Sequence, residues 1–192
     1  MVRFTDIQQR GNPLNPTLLK IRFKGAWDMQ ELYESLVDWF RDRKWEFHEL
    51  IYKHKHPSPF GFERQYIWMA EQNVDDWVKV QINLYIHTYD AHDVEVIGKD
   101  GVRKIYTQGK IWVVMKIHDY WDPRQRFDTN PLWASLKDFL IKYVVLKRRM
   151  LGYSPRYRYE LSLLYNFINK KLQMETRDFE YANIVGVHRR GP

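Results

Sequence analysis

The chain is predicted to form a single α+β domain, with an antiparallel sheet of five to seven strands packed against one N-terminal helix and two C-terminal helices. Three observations lead there. Apolar and polar residues alternate with period two from about Trp45 to Tyr120, a strand and a capped helix precede that stretch, and helical spacing returns after Asn130. At 192 residues and 44% hydrophobic content, the chain can bury one core without a disulfide or a structural metal.

Residues 1–16 carry Gly11, Pro13 and Pro16 with little periodicity and read as an irregular arm, so the domain is placed at 17–176 with a tail at 177–192. Leu19, Ile21 and Phe23 alternate with Lys20, Arg22 and Lys24, the period of a half-buried strand. Asp28 followed by Glu31 is a capping-box-like helix start, and Leu32, Leu36 and Phe40, with Tyr33 and Val37, trace one helical face to about Lys44.

In the middle of the chain Val78, Val80, Ile82, Leu84 and Ile86 point one way and Trp77, Lys79, Gln81, Asn83, Tyr85 and His87 the other. Ile111, Val113, Met115 and Ile117 repeat the pattern against Lys110, Trp112, Lys116 and His118. Glu46 to Lys55 and Phe62 to Glu71 read as two further strands joined through Pro57, Ser58, Pro59 and Gly61. Val94 to Ile97 and Val102 to Thr107 flank Gly98–Gly101, a hairpin signal. Asn130 before Pro131 starts one C-terminal helix, which Gly152 closes, and Ser154 before Pro155 starts the other. Leu132, Leu136, Phe139, Leu140 and Tyr143 are expected as the buried stripe of the first. Tyr157, Leu161, Leu164, Tyr165, Ile168 and Leu172 are expected as that of the second.

Charge is segregated. Residues 1–130 hold 19 Lys+Arg against 19 Asp+Glu, residues 131–192 hold 12 against 5, and the whole net charge of +7 therefore lies in the last third. On a helical wheel Lys137, Lys142, Arg148 and Arg149 fall opposite the apolar stripe, with Ile141 and Val145 among them. An aliphatic pair surrounded by cations suits an anionic partner. Arg156, Arg158, Lys170 and Lys171 extend the candidate surface. The expectation is a non-enzymatic binding or adaptor protein engaging a polyanion: RNA, a ribonucleoprotein or an anionic membrane surface.

Chemical motifs are sparse. There is no cysteine, which removes disulfides and thiolate chemistry together, and there is neither a Gly-x-Ser-x-Gly elbow nor a phosphate-binding glycine loop. His87, Asp90, His92 and His118 form the one constellation with ligand chemistry, which would serve a metal-dependent enzyme. Their spacing matches no ligand pattern and suits edge and turn positions, so no cofactor is expected. No apolar run after Met1 has the length of a signal peptide, none has the roughly 20 residues of a membrane span, and a cytoplasmic location is expected.

The order strand, helix, antiparallel meander, C-terminal helix over roughly residues 17–150 resembles the helix-grip topology of START-like (SRPBCC) proteins. That resemblance implies an apolar small-molecule or lipid carrier or sensor as the alternative function, with Trp68, Tyr85, Trp112 and Tyr120 as cavity walls. The run Lys53 to Gly61, with Glu63, Arg64, Gln65 and Tyr66 after it, is similar to a stretch of uncharacterised small archaeal proteins, which implies a cytoplasmic archaeal protein and no particular activity.

Overall fold

The computed structural model describes residues 17–58, 61–97, 103–122, 124, 131–140, 143–144 and 153–172. The elements in order are β1 (Thr17–Trp27), α1 (Met29–Asp42), β2 (Glu46–Ser58), β3 (Gly61–Asn73), β4 (Val78–Ile97), β5 (Arg103–Trp121), α2 (Pro131–Leu140) and α3 (Tyr153–Lys171). All five strands join one antiparallel sheet in the order β1-β5-β4-β3-β2. Strands β2 to β5 form a meander. The first strand closes onto the last, with Ile21 opposite Val113 and Thr17 opposite Ile117.

Helix α1 begins as its sequence predicts: the Asp28 carboxylate accepts the Glu31 N–H at 2.9 Å. It ends in a left-handed turn. Lys44, at φ 59°, donates its N–H to Arg41 O, and Trp45 donates to Phe40 O, both at 2.9 Å. These are the paired bonds of a Schellman motif, and the rings of Trp45 and Phe40 supply its apolar contact at 6.4 Å.

The two hairpin strands expected around Gly98–Gly101 are the far ends of β4 and β5, which run 20 and 19 residues. A bulge between Tyr89 and His92 interrupts the β4 ladder and carries Asp90 at φ 52°. Gly109 faces this bulge, and a Cβ there would come within 2.9 Å of Ala91 Cα. Edge strand β2 shifts register twice and contains Pro57, a residue that only an edge or a bulge accepts.

One face of the sheet is covered by α1 and α3. Val80, Ile82, Leu84, Ile86, Ile111, Val113 and Met115 meet Leu32, Leu36 and Phe40 of α1 and Tyr157, Leu161, Leu164, Ile168 and Leu172 of α3 in one buried cluster. Each such aliphatic side chain contributes roughly 1.5–3 kcal/mol by leaving water. Tyr165 of the expected α3 stripe is only partly buried.

Helix α2 corrects the sequence reading. Most of its predicted buried stripe lies at the surface: Leu132 is 80% exposed, Phe139 56% and Tyr143, just beyond the helix, 59%, with Leu136 also exposed and Leu140 partly buried. Periodicity identifies an apolar helical face without identifying what covers it, and the core here is already closed by α1 and α3.

Candidate functional site

Three surfaces merit attention. The first is α2 with residues 143–144, where Leu132, Trp133, Leu136, Phe139, Tyr143 and Val144 are all exposed. Phe139 and Tyr143, four residues apart in sequence, have ring centroids 4.9 Å apart. An exposed apolar stripe of this length is uncommon on a globular domain. Of the cations assigned to this segment, Lys137 lies in α2 and is partly buried, while Lys142, Arg148 and Arg149, with Ile141 and Val145, lie outside the described residues.

On α3, Arg158 and Lys170 are exposed. Arg156 reaches Glu160 at 3.5 Å. Lys171 turns inward to Glu31 of α1 at 2.7 Å, which holds the Glu31 carboxyl below its usual range. The α3 cations are thus partly spent within the fold. A groove of about 540 Å³ between α1 and α3 has Asp38 and Asp42 as well as Lys170 and Lys171 in its lining, so its charge is mixed.

The second surface is the sheet face opposite α1 and α3. Tyr85 and Trp112 meet there edge to face at 6.3 Å, and the Arg22 guanidinium lies 5.3 Å from the Trp112 ring centre. Tyr120 shares this face by strand parity, whereas Trp68 sits in the helix-side core. The four expected cavity-wall residues are therefore divided between opposite faces and do not enclose one space.

The candidate metal ligands are not brought together either. Asp90 binds Lys110 at 2.6 Å, His87 stands 3.7 Å from Glu63 and 3.3 Å from Gln65, His92 pairs in register with Gln108, and His118 lies opposite Gln81. Among the described residues no three metal-ligating side chains cluster. His118 is 3% exposed, and among the described residues neither of its ring nitrogens has a hydrogen-bond partner. Burial, and then the Lys116 ammonium, push its pKa down. Lys116 is itself lowered by burial and by Lys20.

The third surface is one that sequence reasoning missed. A groove of about 390 Å³ opens between α1 and the β2–β3 hairpin, with Tyr33, Tyr52 and Tyr66 among its walls and Glu34 and Glu49 as its acids. Register places Tyr52 opposite Tyr66, with ring centroids 4.9 Å apart, and Tyr33 of α1 closes from above at 6.2 Å from Tyr66. Tyr33 Oη and Trp68 Nε1 both donate to Glu49 Oε2, at 3.1 and 3.0 Å. Burial raises the Tyr66 hydroxyl pKa, keeping it neutral. The signal was present in the sequence as a hairpin register, but the shift between Glu49 and Ile51 hides it from a simple count.

No protein-family model matches the chain, and a search of curated proteins gives no match. Among the described residues no helix is long and apolar enough to cross a membrane.

Proposed function

We propose that this protein is a cytoplasmic, non-enzymatic binding protein that docks on an anionic membrane surface through α2 and the basic stretch that follows it. The observation that carries this reading is the exposure of the α2 apolar stripe. Between residues 131 and 151 the sequence adds Lys137, Lys142, Lys147, Arg148 and Arg149 against the single acid Asp138. A helix lying in a bilayer interface needs both features: an apolar side to enter the acyl boundary and cations to meet lipid phosphates, each contributing about 1 kcal/mol near an anionic surface. RNA or a ribonucleoprotein would use the cations and stack bases on Trp133, Phe139 and Tyr143, but it offers little to the aliphatic Leu132 and Leu136, which acyl chains accept.

Co-sedimentation with phosphatidylcholine vesicles, with and without phosphatidylserine, tests the reading. Capture is expected only with phosphatidylserine present, falling as salt rises. Leu132→Glu with Phe139→Glu should abolish it, as should reversal of Lys142, Arg148 and Arg149 to Glu. RNA binding that survives the apolar substitutions would move the assignment to RNA.

The placement of β1 beside β5, with α3 across the same sheet face, favours a second reading as a helix-grip carrier. In that reading α3 must lift to admit an apolar ligand, because Leu161, Leu164 and Ile168 fill the space beneath it. Stoichiometric uptake of a fluorescent fatty acid in the absence of vesicles would support it.

A further inference from the structure

We infer that the groove between α1 and the β2–β3 hairpin is a binding site for a small organic cation of the trimethylammonium type, held by the rings of Tyr33, Tyr52 and Tyr66 and by the Glu49 carboxylate. This site is separate from α2 and does not depend on the membrane reading.

Three rings from three different elements converge on one open space of about 390 Å³, within the size range of small-molecule sites. The negative faces of aromatic rings attract a cation lying within about 6 Å of their centres, most strongly when the cation is poorly hydrated, as a quaternary ammonium is. The acid at the base of the groove is fixed rather than mobile. Tyr33 and Trp68 both donate to Glu49 Oε2, an arrangement that orients the carboxylate and leaves Oε1 out of both bonds. Glu34 adds a second negative charge to the lining, its Oε1 accepting from Gln30 at 2.9 Å.

Arg64 is the cation of the lining; its charge reaches Tyr66 but is partly offset by an ion pair outside the groove. Its Nη2 meets Asp93 at 3.0 Å, and its guanidinium stacks over the Phe62 ring at 4.3 Å. The two acids Glu49 and Glu34 outnumber the one arginine in the lining, which favours a cationic over an anionic ligand. Tyr52 is 49% exposed, which a ring serving only to fill a core would not be. Two carboxylates among phenol rings lack the ligand number for a hard metal ion and suit an organic cation instead.

The test is calorimetric titration of the full chain with choline chloride at matched ionic strength, beside its uncharged carbon isostere 3,3-dimethylbutan-1-ol. Saturable choline binding, at least about tenfold tighter than the isostere, is expected. Tyr52→Leu and Glu49→Gln should each weaken choline at least about fivefold, and Tyr52→Leu should lower the melting temperature by no more than a few degrees, because the ring is half exposed and only its packing on Tyr66 is lost. Failure to saturate, equal affinity for the isostere, or unchanged affinity in Tyr52→Leu would overturn the site. Glycerophosphocholine, titrated in parallel, identifies the source of the group. Tighter choline assigns a free solute, the result the two acids favour, and tighter glycerophosphocholine assigns a lipid headgroup.

Discussion

The indole N–H of Trp45, at the entrance to β2, donates to Glu160 Oε2 on α3 at 3.2 Å, linking positions 115 residues apart. Its ring stands edge-on to Tyr157 at 5.7 Å, and the Glu160 side chain is 15% exposed. Trp45→Phe keeps most of the packing and removes one hydrogen bond to a charged acceptor, so a loss of about 1.5–3 kcal/mol is expected. Urea unfolding measures it. A double-mutant cycle with Glu160→Ala should return a positive coupling energy, and strict additivity would mean that the bond contributes nothing.

The contrast between α3 and α2 is open to the same measurement. Leu164 is fully buried between helix and sheet, and Leu164→Ala should cost about 2–5 kcal/mol. Leu132→Ala on α2 should stay within about 0.5 kcal/mol, as surface substitutions do. Comparable losses at the two positions would show that the α2 stripe is packed in solution.

Lys44 occupies the left-handed position of the α1 Schellman motif, where glycine is usual. Lys44→Gly removes the clash of Cβ with the backbone at some cost in unfolded-state entropy, for a net gain of about 0.5–1 kcal/mol. Lys44→Val should be destabilising, since a β-branched side chain tolerates this conformation least. Thermal melts of the two variants should move in opposite directions.

His118 and His87 both have native pKa values below the usual 6.5, in each case chiefly through burial. Above that value neither the folded nor the unfolded state is protonated, and stability is complete. As pH falls through it, the unfolded chain takes up protons that the folded chain refuses, and stability is lost. Unfolding free energy should therefore decrease between about pH 7.5 and 5.5, above the range where carboxylates titrate. The slope should shrink in His118→Leu and shrink further with His87→Gln added. An unchanged slope in His118→Leu would mean that the ring is protonated in the fold.

How far the sequence could be read follows from what each signal encodes. Alternation around Ile82 and Val113 and the Asp28 cap are local properties, and both appear as expected. The same kind of pattern gave α2 an apolar face, but what covers a face is a property of the whole packing, so the burial of Leu132 and Phe139 was misread. Trp68 went astray for a related reason. Its face depends on strand parity in β3, and Trp68 belongs with Ala70 and Tyr66 on the helix side, not with Tyr85 and Trp112. The tyrosine groove needs a register, two bulges and a helix crossing at once, and no window of sequence contains all three. Most of the cations singled out near Arg148 lie outside the described residues, so the charge segregation stands on sequence alone.

The pairing of β1 with β5 also bears on synthesis. As the chain leaves the ribosome, Leu19, Ile21 and Phe23 emerge before the rest of the sheet, yet their neighbours Met115, Val113 and Ile111 are among the last of the sheet to be made. Until then the meander from β2 to β5 can only assemble with an open flank, and the early segment must wait unpaired. Docking of that segment closes the longest loop in the sheet and is the step at which a stalled or truncated nascent chain would be most prone to aggregate.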